Sequence, residues 1–303
     1  MNVLVIGAGG QLGTEIRNVA QSDSTKKGKK IQYVYADIAA SGDIRQIDIT
    51  DEDAVMKLVK EVGPDVIVNC AAYTDVEKAQ GNPEDADMLN HLAVASLSEA
   101  ARENKAVMIH ISTDYVFSGN SSVPYLPTDE TSPLCVYGLS KLAGERAVVN
   151  SGCTYIILRT AWLYSPYGKN FVKTMLALTS EKEEIKVVAD QIGSPTCARD
   201  LAEFIVGIIR DGKCDREGIY HFTNEGVCSW YDLAVAVNSI ACNECEVLPC
   251  KTEDYPTVAP RPHYSVLDKT SLKQAFGVKI PHWRDSLEEC LYEMLGLEIL
   301  KDR

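Results

Sequence analysis

Hydrophobic positions in the first half of the chain fall into short unbroken runs. Each run is followed by a longer stretch in which apolar residues recur every three or four positions. "NVLVIG", residues 2–7, is such a run and ends in glycine, while "GTEIRNVAQS", residues 13–22, has the spacing of an amphipathic helix. The alternation continues, predicting strands at 31–38, 65–72, 106–112 and 154–162, and helices at 51–62, 90–105 and across 136–145. Unbroken apolar strands are those covered on both faces, and their alternation with helices predicts an α/β fold with a doubly wound parallel sheet. Such sheets bind ligands at the carboxyl ends of their strands.

After residue 163 the pattern loosens. Residues 184–196 and 218–224 read as strands, and 198–212 and 229–240 as helices. Ser229 and Asp232 have the spacing of a capping box, with Asp in place of Glu. "YPTVAPRPHYSVLD", residues 255–268, is too rich in proline for sheet or helix. The expected organisation is a nucleotide-binding domain over 1–163, with a return segment around 186–225. A smaller α/β substrate domain over 164–303 is interleaved with it. The polar stretch "SDSTKKGKK", residues 22–30, reads as a solvated connection.

Composition narrows the function. Of 303 residues, 46% are apolar and 24% charged, as in an ordinary globular protein. A formal net charge of −13 repels phosphate backbones and argues against nucleic-acid binding, though a helix terminus can still hold a small phosphorylated ligand. No run of about 18 apolar residues predicts a membrane span. The start reads as a strand of the mature protein rather than a signal peptide, so the expected location is cytoplasmic. Ten scattered cysteines then read as reduced thiols. Cys242, Cys245 and Cys250 have C-x2-C-x4-C spacing but no fourth zinc ligand nearby, so plain thiols are expected there too.

The chemistry begins at "GAGGQLG". Gly7, Gly10 and Gly13 lie between the first strand and the first helix. A dinucleotide site needs glycines there for a tight turn, for amides close to a pyrophosphate, and for close helix–strand packing. The fold is accordingly expected to be Rossmann-like. Asp37 ends the second strand, where a carboxylate accepts from ribose hydroxyls and repels a 2′-phosphate. Asp48 and Ile49 are placed to contact adenine, although Asp48 is nearly as well read as an acid near a helix start. NADPH and NADH both remain open.

"VYGLSKLAGE", residues 136–145, sets Tyr137 and Lys141 four residues apart on one helical face. A free phenol has a pKa of about 10, and a neighbouring ammonium favours its ionised form, making it a better acid. Ser112 and Thr113 end the preceding strand. A hydroxyl there, with Thr113 the better placed, can hydrogen-bond a substrate oxygen. His110, inside that strand, reads as a core histidine, and Asn90 as a structural residue.

The Gly7–Gly10–Gly13 spacing and the Thr113, Tyr137, Lys141 set resemble the extended branch of the short-chain dehydrogenase/reductase superfamily. "DVIVNCAAYTDVEKAQ", "STDYVFSG", "VYGLSKLAGE", "LRTAWLY", "NFVKTML", "DQIGSPT" and "YPTVAPRPHYSVLD" together resemble the dTDP-4-dehydrorhamnose reductase family over essentially the whole chain. The resemblance implies reduction by NADPH or NADH of the 4-keto group of a dTDP-linked 6-deoxy-L-sugar, forming dTDP-L-rhamnose. It implies cofactor contacts from Gln11, Leu12, Ala71 and Ala72 beside the residues above. For the substrate it implies Thr113, Asp114, Tyr137, Trp162, Asn170, Lys173 and Arg261, with Arg261 on the diphosphate. It also raises a magnesium ion on Glu15, with Glu183 and Glu184 as partners, at a homodimer contact. Three other readings stay open on the same scaffold. A 4,6-dehydratase is disfavoured because Asp114 is followed by Tyr115 and not Glu. An epimerase would retain its NAD through turnover, and a non-catalytic subunit like that of methionine adenosyltransferase would need no turnover at all.

Overall fold

The computed structural model describes residues 1–23 and 31–297; most of the lysine-rich connection read at 22–30 lies outside them. The first half runs β1 (Asn2–Ile6), α1 (Gln11–Asp23), β2 (Gln32–Asp37), β3 (Ile44–Gln46), α2 (Glu52–Val62), β4 (Val66–Asn69), α3 (Val76–Gly81), α4 (Pro83–Asp87), α5 (Ala93–Glu103), β5 (Val107–Thr113), α6 (Val136–Ser151) and β6 (Tyr155–Thr160). The second half runs β7 (Leu163–Tyr164), α7 (Phe171–Glu181), β8 (Glu184–Val188), β9 (Ile192–Gly193), β10 (Thr196–Cys197), α8 (Ala198–Arg210), β11 (Gly218–His221), β12 (Cys228–Ser229), α9 (Trp230–Ile240), β13 (Glu246–Cys250), α10 (Thr270–Phe276) and α11 (Trp283–Leu295).

Seven strands form one sheet in the order β11-β6-β5-β4-β1-β2-β3, every pair parallel. The period-two geometry of a strand divides β1 between two cores. Val3 and Val5 pack with Leu12 and Ile16 of α1 and with Leu201 and Ile205 of α8. Leu4 and Ile6 pack on the other face with Val55 and Val59 of α2 and with Val94 and Leu97 of α5. A buried apolar run is therefore what this strand requires.

The helices end where their caps dictate. Asp51 accepts from the Ala54 amide at the start of α2, and Gly63 closes that helix at φ 56°. The Ser229–Asp232 capping box is formed as the spacing predicts. The helix predicted at 90–105 begins earlier, at α4, and reaches α5 through a π turn over Met88–Leu92. That turn buries Asn90, whose amide bridges the Tyr73 carbonyl and the Ser140 hydroxyl.

The strand predicted at 184–196 is broken. β8 pairs with β13, β9 with β12, and β10 with β7, in three two-stranded sheets. Only Gly218–His221, from the return region, joins the large sheet, at its edge beside β6. A third core gathers Tyr164, Val172 and Met175 with Leu233, Val237, Trp283, Leu287 and Leu291. Among the described residues no helix is long and apolar enough to cross a membrane. All ten cysteines are free thiols.

Candidate active site

The strand order reverses at β1, which lies between β4 and β2. A crevice of about 1120 Å³ opens at the carboxyl ends of these strands. Gly7 turns the chain out of β1 at φ 75°, and a Cβ there would lie 2.5 Å from the Ala71 amide nitrogen. At Gly13 a Cβ would lie 2.2 Å from the Gly7 carbonyl oxygen, so only glycine lets α1 sit this close to the turn. Gly10 has no such crowding, its nearest neighbour being 3.4 Å away. The Asp37 carboxylate accepts from the Gly9 amide at 2.9 Å. Asp37, Asp48, Ile49, Ala71 and Ala72 line the crevice together with the 7–13 turn. The Asp48 side chain is engaged locally, accepting from the Thr50 hydroxyl and amide, which hold its carboxyl below the ordinary range. This cradle of glycine and exposed amide fits a dinucleotide pyrophosphate.

Thr113, Tyr137 and Lys141 line the same crevice. Gly138 lets the start of α6 lie against β5's end, since a Cβ would sit 2.3 Å from the Tyr115 carbonyl. Gly144 does the same one and a half turns on, against the Asn90 carbonyl at 2.1 Å. Tyr137 hydrogen-bonds Thr113, and the Thr113 hydroxyl donates to Asp114 at 3.0 Å. Ser112 is occupied elsewhere. Its hydroxyl donates at 2.5 Å to Glu145, which also receives a two-pronged hydrogen bond from Arg159. That leaves Thr113 as the hydroxyl of the pair bonded beside Tyr137, although it too has partners, donating to Asp114 and accepting from the Tyr115 amide.

One expectation is corrected. The Lys141 ammonium donates to the Ile111 carbonyl at 2.6 Å and does not lower the Tyr137 phenol. Burial raises that phenol well above its ordinary range; the Thr113 hydrogen bond opposes this, and the Asp114 charge adds to it. Burial likewise depresses the Lys141 ammonium to about 8, against the opposing charge of Glu145. Asp114 is raised to about 6 by burial, despite hydrogen bonds from Ser265 and Thr113. His110 is buried and neutral, pushed far down by burial, and its Nδ1 faces the Asn69 amide at 3.2 Å.

The other wall of the crevice is aromatic. Trp162, at the left-handed φ of 49°, stacks on Trp230 with ring centroids 3.6 Å apart. Gly193 makes room, since a Cβ there would meet the Trp162 ring at 2.7 Å. Asn170 lines the crevice as the N-cap of α7, and its amide also donates to Gln11 at 2.8 Å. Gln11 thereby ties the dinucleotide turn to the 165–170 loop. Lys173 lies off the crevice and donates to the Pro166 carbonyl at 3.0 Å. Arg261 lines the mouth and is already paired with Glu77 at 2.7 Å.

Comparison with known proteins is decisive on the family. The model described as the RmlD substrate binding domain matches residues 1–295. The dTDP-4-dehydrorhamnose reductase of Aggregatibacter actinomycetemcomitans is 40% identical over 295 residues, covering 94% of this chain and 97% of that one. The chain belongs to the dTDP-4-dehydrorhamnose reductase family. Among solved structures, a dTDP-4-dehydrorhamnose reductase from Clostridium acetobutylicum superposes with a TM-score of 0.89 at 39% identity, covering 98% of this chain and 100% of the other. The dTDP-4-dehydrorhamnose reductase of Bacillus anthracis, solved in complex with NADP, gives 0.87 at 36% identity, covering 96% and 99%.

The magnesium implied by resemblance to the dTDP-4-dehydrorhamnose reductases finds no fitting ligand set. Glu15 is fully buried, and its neighbour is a guanidinium, Arg199 Nε at 3.7 Å. Arg199 in turn pairs with Glu293. Glu183 precedes β8, and Glu184 begins it. Burial raises the Glu15 carboxyl, Arg199 opposes it, and Glu293 and Glu203 raise it further. A fixed cation thus serves this acid, and among the described residues no group of three or more His, Cys, Asp or Glu could hold a metal ion. Trp230 and the Ser112–Glu145–Arg159 network went unread in the sequence. Their contacts span 14 to 68 positions, and no local pattern announces them.

Proposed function

We propose that the protein is an NADPH- or NADH-dependent oxidoreductase that reduces the 4-keto group of dTDP-4-dehydro-L-rhamnose to give dTDP-L-rhamnose. The observation that carries this reading is one continuous crevice, running from the Gly7–Gly13 turn past Thr113, Tyr137 and Lys141 to Trp162 and Arg261. Reduced nicotinamide, when bound, supplies the hydride. The chain's own residues do the rest. The 7–13 amides and the start of α1 hold the pyrophosphate, and Asp37 takes the adenosine ribose. Burial keeps the Tyr137 phenol protonated at neutral pH, so the proton is in place before reaction. As negative charge grows on the carbonyl oxygen, Tyr137 hands over that proton, since an alkoxide is the stronger base. The Thr113 hydroxyl orients the same oxygen. Lys141, held at the end of β5 by Ile111, fixes the cofactor's nicotinamide ribose. Trp162 packs on the sugar, and Arg261 meets the diphosphate with its planar array of donors.

The partner on this reading is a small dTDP-sugar. The ten free thiols and the demand for reduced nicotinamide fit a cytoplasmic setting. The test is oxidation of NADPH and NADH, followed at stoichiometric substrate, with the dTDP-linked 4-keto-6-deoxy-L-sugar and its UDP and GDP counterparts. Turnover of the dTDP compound, with consumption of one reduced cofactor per product, is expected. Absence of cofactor consumption with all three would overturn the reading.

A further inference from the structure

Glu77 lies on α3 and does not line the crevice, yet three donors from the 255–268 loop converge on its carboxylate. Oε1 accepts from Arg261 Nη2 at 2.7 Å. Oε2 accepts from the Val258 amide at 2.9 Å and from the Ala259 amide at 3.4 Å. Burial works to raise this carboxyl, but the Arg261 and amide hydrogen bonds outweigh it, and the group sits below its ordinary range.

The path continues inward. Arg261 Nη1 donates to the Tyr115 hydroxyl at 3.3 Å, and the Tyr115 ring meets the Tyr137 ring edge-on at 5.5 Å. The base of the clamp is itself fixed. Asp75 caps α3, and Gln80 on α3 accepts from the Val136 amide at the start of α6. One short helix therefore holds both the loop that carries Arg261 and the beginning of the helix that carries Tyr137.

We propose that Glu77 is a positioning residue: it clamps loop 258–261 and fixes the Arg261 guanidinium at the mouth of the crevice for the substrate's diphosphate. This rests on the function proposed above. Arginine carries five N–H donors in a rigid plane; Glu77 and Tyr115 use two, leaving donors for phosphate oxygens. An arginine on a proline-rich surface loop would otherwise lose side-chain freedom on binding, and a pre-ordered one does not. The carboxylate's role is thus exerted before the substrate arrives, and it should appear in substrate affinity rather than in the chemical step.

The test compares Glu77→Gln, Glu77→Ala, Arg261→Ala and the double variant Glu77→Gln/Arg261→Ala. Steady-state kinetics with the dTDP-keto sugar are combined with calorimetric titration of dTDP and of NADPH. For Glu77→Ala, KM and the dTDP Kd are expected to rise about tenfold, with kcat within about threefold of wild type. Glu77→Gln keeps an acceptor for the loop amides and should show a smaller rise. The NADPH Kd should stay unchanged, and Tm should fall by only a few degrees in Glu77→Ala, because the hydrogen bonds lost are near the surface. In the Arg261→Ala background Glu77→Gln should add less than about twofold, because the two residues act as one. Full additivity, or a parallel loss of NADPH affinity and Tm, would assign Glu77 to folding alone and overturn the proposal. A fall in KM would overturn it too, by making Glu77 a competitor of the diphosphate. A wild type that binds dTDP but turns over no keto sugar would sink the reductase reading and leave the clamp testable by dTDP affinity. A wild type that binds no dTDP would end both.

Discussion

Lys141 is a charged group kept where charge is costly, and replacing it should make the unliganded protein more stable. The side chain is 2% exposed, and burial brings its ammonium from 10.5 to about 8. That depression corresponds to about 3 kcal/mol of stability given up at neutral pH to hold the proton. Lys141→Met preserves the length of the side chain and removes the charge. The variant loses the hydrogen bond to Ile111, worth about 1 kcal/mol. Glu145 is not orphaned, because Arg159 and Ser112 still bond it. The net expectation is a gain of about 2 kcal/mol at pH 7, roughly 4 °C in Tm for a chain of this size. The sign can be checked against pH. Between about 8 and 10.5 the unfolded lysine holds a proton that the folded one has released, so wild-type stability rises with pH there and the gap to the variant closes. Urea unfolding of both apoproteins at pH 7 and pH 10 measures this, and the difference between the two cancels the other titrating groups. A variant less stable than wild type at pH 7, or a gap that fails to narrow at pH 10, would refute the reasoning. Turnover of Lys141→Met should be lost in either case, a trade of activity for stability.

Tyr137→Phe is expected to lower kcat by at least about 100-fold with little change in NADPH affinity, measured by cofactor oxidation and fluorescence titration. Thr113→Val should cost less, and a Thr113→Val enzyme more damaged than Tyr137→Phe would reverse their ranking. Gly13→Ala must push a methyl to within 2.2 Å of a backbone oxygen and should lower both Tm and NADPH affinity, while Gly10→Ala, whose nearest neighbour lies at 3.4 Å, should keep its Tm. EDTA should leave Tm and activity unchanged, because Arg199 already provides the cation beside Glu15; Arg199→Ala should lower Tm, corresponding to a loss of about 2 kcal/mol.

The sheet was legible because its strands are buried on both faces, so Val3 to Ile6 or Val66 to Val68 must be apolar without interruption. The dinucleotide turn was legible because Gly7 and Gly13 answer a steric demand that no other residue meets. Tyr137 and Lys141 could be placed together by helical spacing, but not aimed. The direction of the lysine is set by the Ile111 carbonyl, on another element. The aim of Lys173 is set in the same way, its ammonium donating to the Pro166 carbonyl of the preceding loop. The strand at 184–196 broke because its pairs are distant segments around Cys228 and Glu246 that no local pattern specifies. Arg199 carried no sign in the sequence of serving Glu15, since only the packing of α1 against α8 brings them together.

The π turn over Met88–Leu92 gives the segment from Pro83 to Glu103 one residue more than an uninterrupted α-helix would use. Removing a single residue there would let the ladder close as plain α-helix and draw the wide turn in, while the flanking turns kept their faces. Asn90 would then swing away from Tyr73 and Ser140, and the strand-exit loop over the nucleotide crevice would lose its tether. Residue number at this place is thus as strongly specified as residue type. A gap introduced there would do more harm than most replacements, although every side chain around it stayed the same.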